Sequence, residues 1–111
     1  MGNVSSLQNL PSRKLAWRGR SGRTYLATPM SVREFMLNNE QLHMVAEGQH
    51  VLWVGSARDV IEDAISRARL RLALGSADRA YLVGPAGDEA ERLTTIWDLE
   101  GAELAAGAVA A

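Results

Sequence analysis

Cysteine is absent from this 111-residue chain, which excludes a disulfide scaffold, thiolate metal sites and thiol nucleophiles. Lysine occurs only at Lys14; the other eleven basic residues are arginines. No apolar run approaches the ~18 residues of a membrane span, and no charged-then-apolar leader is present. What is there, 47% hydrophobic and 23% charged residues, is enough for one small domain with a core. That composition excludes a disordered chain, a coiled-coil rod and a collagen-like fibre. The arginine preference and abundant alanine point to a GC-rich bacterial genome, and a cytoplasmic protein with no membrane partner is expected.

The formal net charge of −1 hides a segregation. Every ionised side chain before Glu34 is basic: Arg13, Lys14, Arg18, Arg20, Arg23 and Arg33. Towards the other end Asp88, Glu89, Glu91, Asp98, Glu100 and Glu103 face only Arg92. Such polarity either orients the molecule towards a polyanion or a second copy of itself, or is ordinary surface charge.

Residues 1–13 are polar and read as a flexible lead-in, residues 14–104 as a single α+β domain, and residues 105–111, rich in Ala and Gly, as a frayed tail. Lys14–Gly19 and Arg23–Thr28 flank Arg20-Ser21-Gly22 and predict a β-hairpin ended by Pro29. Ser31 and Glu34 suit the start of a short helix over Val32–Leu37. Gln41–Ala46 and His50–Gly55 are the clearest strands. The second is apolar on both faces, which predicts a central position in its sheet. Ala57–Leu74 has helical spacing, with Ile61, Ile65, Ala68 and Leu72 on one stripe and a break expected at Ser66. Arg79–Val83 is a further strand. Asp88–Leu104 is a final helix with acidic residues in its first turn and Ala90, Leu93, Trp97 and Leu104 near one face. The expected architecture is a small mixed β-sheet with an N-terminal hairpin, flanked by two to three helices.

Three islands of this pattern resemble a known family. Gly19-Arg20-Ser21-Gly22-Arg23-Thr24-Tyr25 looks like a G-x-S-G-x-x-Y hairpin that precedes the core in some bacterial GIY-YIG nucleases. Gln41–Met44 followed by Val51–Gly55 resembles the paired GIY and YIG strands, and Asp88–Leu93 running to Leu99 resembles the final acidic helix. The likeness spans roughly residues 15–101. It implies a GIY-YIG-like fold in which Mg²⁺ is held by a glutamate on the last helix, while two motif tyrosines and a helix arginine act on water and phosphate. Carried over, the first tyrosine falls on Met44 and the second on Trp53. The arginine falls on Asp63, unless an insertion brings in Arg58, Arg67 or Arg71, and the metal glutamate falls on Ile96 near Asp98. With no tyrosine hydroxyl and no metal carboxylate in place, no catalytic residue, metal site or cofactor is expected.

The resulting expectation is a noncatalytic GIY-YIG-like module that binds nucleic acid or a protein. The candidate nucleic-acid contacts are Arg18, Arg20, Arg23, Arg58, Arg67 and Arg71, arginines being suited to phosphate. Trp17 and Tyr25 beside the hairpin arginines suit stacking on single strands, or pack in the core. The alternatives are a Mg²⁺-dependent nuclease using Trp53, Arg58 and either Glu91 or Asp98, and a self-associating protein, a homodimer in the simplest case. His43 and His50 lie on paired strands but lack a third ligand. Trp97 is either core or, if it faces outward, a dimer anchor.

Overall fold

The computed structural model describes residues 13–38 and 40–109; apart from Arg13, the expected lead-in lies outside them. The strands are β1 (Leu15–Arg18), β2 (Thr24–Met30), β3 (Gln41–Glu47), β4 (His50–Gly55), β5 (Arg79–Pro85) and β6 (Glu103–Val109). The helices are α1 (Ala57–Glu62), α2 (Ala64–Ser76) and α3 (Glu89–Glu100). The class is α+β. None of these helices is long and apolar enough to cross a membrane.

The sheet runs β4-β3-β5-β2-β1-β6, and every pair is antiparallel rather than mixed. The reason is that β4 and β5 pair with opposite sides of β3, so the α1–α2 crossover joins two strands that do not touch each other. β2 changes partner along its length. Thr24–Ala27 pair with β1, then Thr28–Met30 pair with β5. Pro29 therefore sits inside the strand instead of ending it, opposite Tyr81 and past the end of the β1 ladder. Gly22, at φ 92°, gives the β1–β2 turn the left-handed residue it requires.

Three boundaries differ from the sequence expectation. The last helix stops at Glu100 rather than Leu104, and residues 103–109 form a strand on β1, with Leu104 opposite Trp17 and Val109 opposite Leu15, where a frayed tail was expected from residue 105. Short side chains do not prevent pairing when a partner strand offers free backbone groups. The helix expected over Val32–Leu37 is a single 3-10 turn, Val32–Glu34, with Ser31 accepting from the Arg33 N–H. The helical stretch breaks at Asp63, not at Ser66. The Asp63 carboxylate accepts from Ile65 and Ser66 N–H and caps α2. Ser66 instead accepts from Trp53 Nε1 at 3.0 Å.

Two cores lie on opposite faces of the sheet. Trp17, Met44, Ala46, Val54 and Tyr81 pack with Leu99 of α3 and with Ala102 just beyond it. Val45 and Trp53 pack with Leu70 and Ala73 of α2. β4 is apolar on both faces as expected, yet it is an edge strand rather than a central one. A helix on each face buries Trp53 and Val54, while Val51 and Leu52 at the open edge stay half-buried.

The helices present the face opposite to the one their apolar spacing suggests. Ile61, Ile65 and Leu72 are 69%, 66% and 77% exposed, while Leu70 and Ala73 are buried. On α3, Leu93 and Trp97 are 51% and 54% exposed, while Arg92, Asp98 and Leu99 are buried.

Candidate interaction face

Two buried polar clusters fix α3. The first is a clasp on Asp98. Its carboxylate accepts from Ser21 N–H, Ser21 Oγ and Tyr25 Oη, each at 2.7 Å. Burial alone would push the Asp98 carboxyl up. The backbone N–H of Ser21, the Tyr25 hydroxyl and the Ser21 hydroxyl, with Arg23 nearby, more than offset this and hold it below its ordinary value. Tyr25 is shifted up, by burial first and then by Asp98, and so stays a donor. The G-x-S-G-x-x-Y stretch thus has a local structural job. Ser21 and Tyr25 supply the donors, Gly22 makes the turn, and Gly19 lets the backbone approach. A Cβ on Gly19 would lie 2.4 Å from Asp98 Oδ1. Gly19→Ala is therefore expected to force the hairpin off α3 and cost about 1–3 kcal/mol, read by denaturant unfolding; an unchanged midpoint would refute the close approach.

The second cluster joins α1 to α3. Arg92 Nη1 donates to Asp59 Oδ1, and Asp59 Oδ2 accepts from Ser56 N–H at 2.7 Å and Ser56 Oγ at 2.9 Å. The two side chains are 8% and 15% exposed, and Arg92 Nε has no partner. The sequence reading passed over this pair, since 33 residues separate its members.

The candidate arginines do not assemble into one patch with free guanidinium groups. Arg20 donates from Nε to the Trp97 carbonyl at 2.9 Å and lies 5.1 Å over the Trp97 ring. Arg23 lies 5.1 Å over the Tyr25 ring. Arg58 pairs with Glu62 and Glu89. Arg67 donates to the Val60 carbonyl at 2.7 Å, closing the end of α1. Arg18 stands opposite Glu103 on β6, and Arg71 is exposed on α2. Of the rings beside the hairpin, Trp17 is fully buried and packs edge-on against Tyr81 at 5.4 Å, while Tyr25 is committed to Asp98.

The nuclease-like positions separate as well. Met44 pairs with Val54 in one core, and Trp53 pairs with Val45 in the other, so the two side chains point from opposite faces of the sheet. Asp63 is the α2 cap. Ile96 packs against the first core, and Asp98 is enclosed by the hairpin. The histidines do not meet: His43 stands opposite Gly55 and His50 opposite Glu47. Among the described residues no three His, Asp or Glu side chains converge on one point.

The structure instead brings together a cleft along the outer edge of β4. Val51, Leu52 and Trp53 form its floor, Ile65 and Arg69 of α2 one wall, and Leu93 and Glu100 of α3 the other. Two adjoining hollows of about 310 and 150 Å³ occupy it. Arg69 and Glu100 border both hollows without forming an ion pair with each other. Among these residues, Arg69 was not a candidate contact, Glu100 counted only as one of the acidic residues of the C-terminal half, and Leu93 was expected on the apolar face of the last helix. Their shared signal is helical spacing: Ile65, Arg69 and Leu72 fall on one face of α2, and Leu93, Trp97 and Glu100 on one face of α3.

No protein family, no curated protein and no solved structure matches this chain.

Proposed function

We propose that this chain is a noncatalytic binding module of the bacterial cytoplasm, on a GIY-YIG-like scaffold, and that its partner is a protein rather than nucleic acid. The observation that carries this reading is the outward apolar face of α2 and α3. Water is a poor solvent for so many large side chains set at helical spacing on two neighbouring helices, and exposed apolar side chains clustered in this way favour an interaction surface. Four of the six candidate arginines are engaged by carbonyls, carboxylates or rings of the same molecule, which weakens the case for a phosphate-binding surface.

The scaffold reading draws support from the element order. The two signature-like strands, β3 and β4, pair antiparallel, helices follow them, and the acidic helix follows β5. The noncatalytic reading draws support from charge placement. The resemblance requires a cation on the helix after the second strand and a carboxylate on the last helix. The buried pair between those helices has the reverse polarity: Asp59 comes from the earlier helix and Arg92 from the last.

Two measurements test the reading. Supercoiled plasmid incubated with Mg²⁺ or Mn²⁺ is expected to stay intact, and a labelled duplex at low salt is expected to show no saturable binding. Metal-dependent nicking that disappears in Arg58→Ala and Glu91→Ala would replace this reading with a nuclease. A photo-crosslinker at Leu93 is expected to yield a discrete protein adduct in cells, with none from the exposed Glu47. Equal labelling at the two positions would remove the proposed surface.

A further inference from the structure

The two outward stripes differ in charge, and they differ in a way that makes them complementary to each other. α2 contains Arg67, Arg69 and Arg71 and no acidic residue. Its apolar stripe of Ile65 and Leu72 shares a face with Arg69, one turn after Ile65. α3 exposes Glu89, Glu91 and Glu100, while its one basic residue, Arg92, is buried against Asp59. Its stripe of Leu93 and Trp97 is bordered by Glu89 and Glu100. The α2 stripe carries Arg69, and the α3 stripe carries Glu100 and Glu89, with Arg58 paired to Glu89 and Arg20 lying over Trp97. Within a single molecule they stand on either side of the β4 edge, where Arg69 and Glu100 border the same hollows without an ion pair between them.

A rotation by a two-fold axis solves this geometry. It lays α2 of one copy on α3 of the other, and by symmetry the reverse pair forms at the same time. Ile65 and Leu72 then meet Leu93 and Trp97, and Arg69 meets Glu100. Addition of a strand to the edge is the less suitable mode. The β3–β4 register shifts between Val45 and Ala46, leaving Leu52 as an extra residue in β4. A bulge of this kind twists the edge away from a straight partner strand, and helices flank the edge on both sides. Trp97 suits the role of anchor: its ring is held by the Arg20 guanidinium, so less side-chain freedom is lost on docking.

We infer that the partner of this face is a second copy of the same chain, docked two-fold through α2 and α3; the inference rests on the protein-binding reading above and specifies it. Sedimentation equilibrium of the full chain over a wide concentration range is expected to show twice the 12.0 kDa monomer mass. Ile65→Asp and Leu93→Asp should each weaken association at least tenfold. Both positions are exposed, so the fold is expected to survive, as circular dichroism would verify. Arg69→Glu and Glu100→Arg should each weaken association, and the two combined in one chain should restore it, because the pair is re-formed with reversed sign. Restoration is a readout that a folding defect cannot mimic. A monomer at every concentration and salt level overturns the inference and returns the face to a different protein, whereas metal-dependent plasmid cleavage removes the binding reading itself. A dimer indifferent to all four substitutions also overturns the inference, since it would form through another surface.

Discussion

Asp59→Ala is expected to destabilise the protein by about 3–5 kcal/mol, the cost of leaving a buried charge without its counter-ion. Arg92 has 8% of its side chain exposed, and its Nε already lacks a partner. Removing Asp59 strips the buried guanidinium of its ion pair, and also deletes the cap that holds Ser56 at the start of α1. The reciprocal change, Arg92→Leu, should cost less. Asp59 is nearer the surface at 15% exposed and keeps both Ser56 bonds. The double variant Asp59→Ala/Arg92→Leu should recover much of the loss, because it removes both desolvated charges together. Urea unfolding of the four proteins gives the cycle directly. Additive single effects would show that the two charges are not coupled in the fold.

Asp98→Asn is expected to cost about 2–4 kcal/mol at neutral pH. An amide presents one acceptor oxygen where the carboxylate presents two, and its NH₂ would face the Ser21 and Tyr25 donors that now converge on Asp98. The pH dependence follows from the direction of the shift. The folded pKa lies below the ordinary value of 3.8, so the contribution is complete above pH ~4 and is lost as pH falls through the folded pKa. The stability gap between wild type and Asp98→Asn should therefore close under acid. His43 acts in a different window. It is 2% exposed and burial lowers its pKa from 6.5, so the unfolded chain takes up its proton first and stability begins to decline as pH falls below 6.5. Thermal melts of wild type and Asp98→Asn between pH 2.5 and 7 separate the two effects. A gap that persists unchanged at pH 2.5 would mean the clasp does not depend on the ionised carboxylate.

Both variants act on α3, and the charge-swap series of the proposed dimer interface uses the exposed face of that helix. The clasp and the ion pair hold α3 in an orientation that buries Arg92 and Asp98 and sends Leu93 and Trp97 outward. Weakening either cluster is thus expected to perturb association indirectly, which is why exposed positions are the better test of the interface.

Local patterns were sufficient to establish much of the chain. The β1–β2 hairpin around Gly22, the two strands around Glu47-Gly48, the helical stretch after Gly55 and the acidic start of α3 follow from turn residues, alternation and capping signals that act within a few positions. The α+β class follows from their order. Tertiary structure alone decided which face of each helix is buried. Apolar spacing marks a stripe that wants to leave water, but it does not say whether the strand beside it or a second molecule will cover it. Here Asp98 and Arg92 take the inner positions because partners 77 and 33 residues away, Ser21 and Asp59, arrive to satisfy them. The same holds for the last strand. Nothing in Glu103–Val109 signals β-structure by itself; the open edge of β1 supplies the backbone groups that make it one. A sequence specifies local preferences through contacts between neighbours, whereas the compensation of buried charge and the pairing of strand edges depend on groups brought together only once the chain has folded.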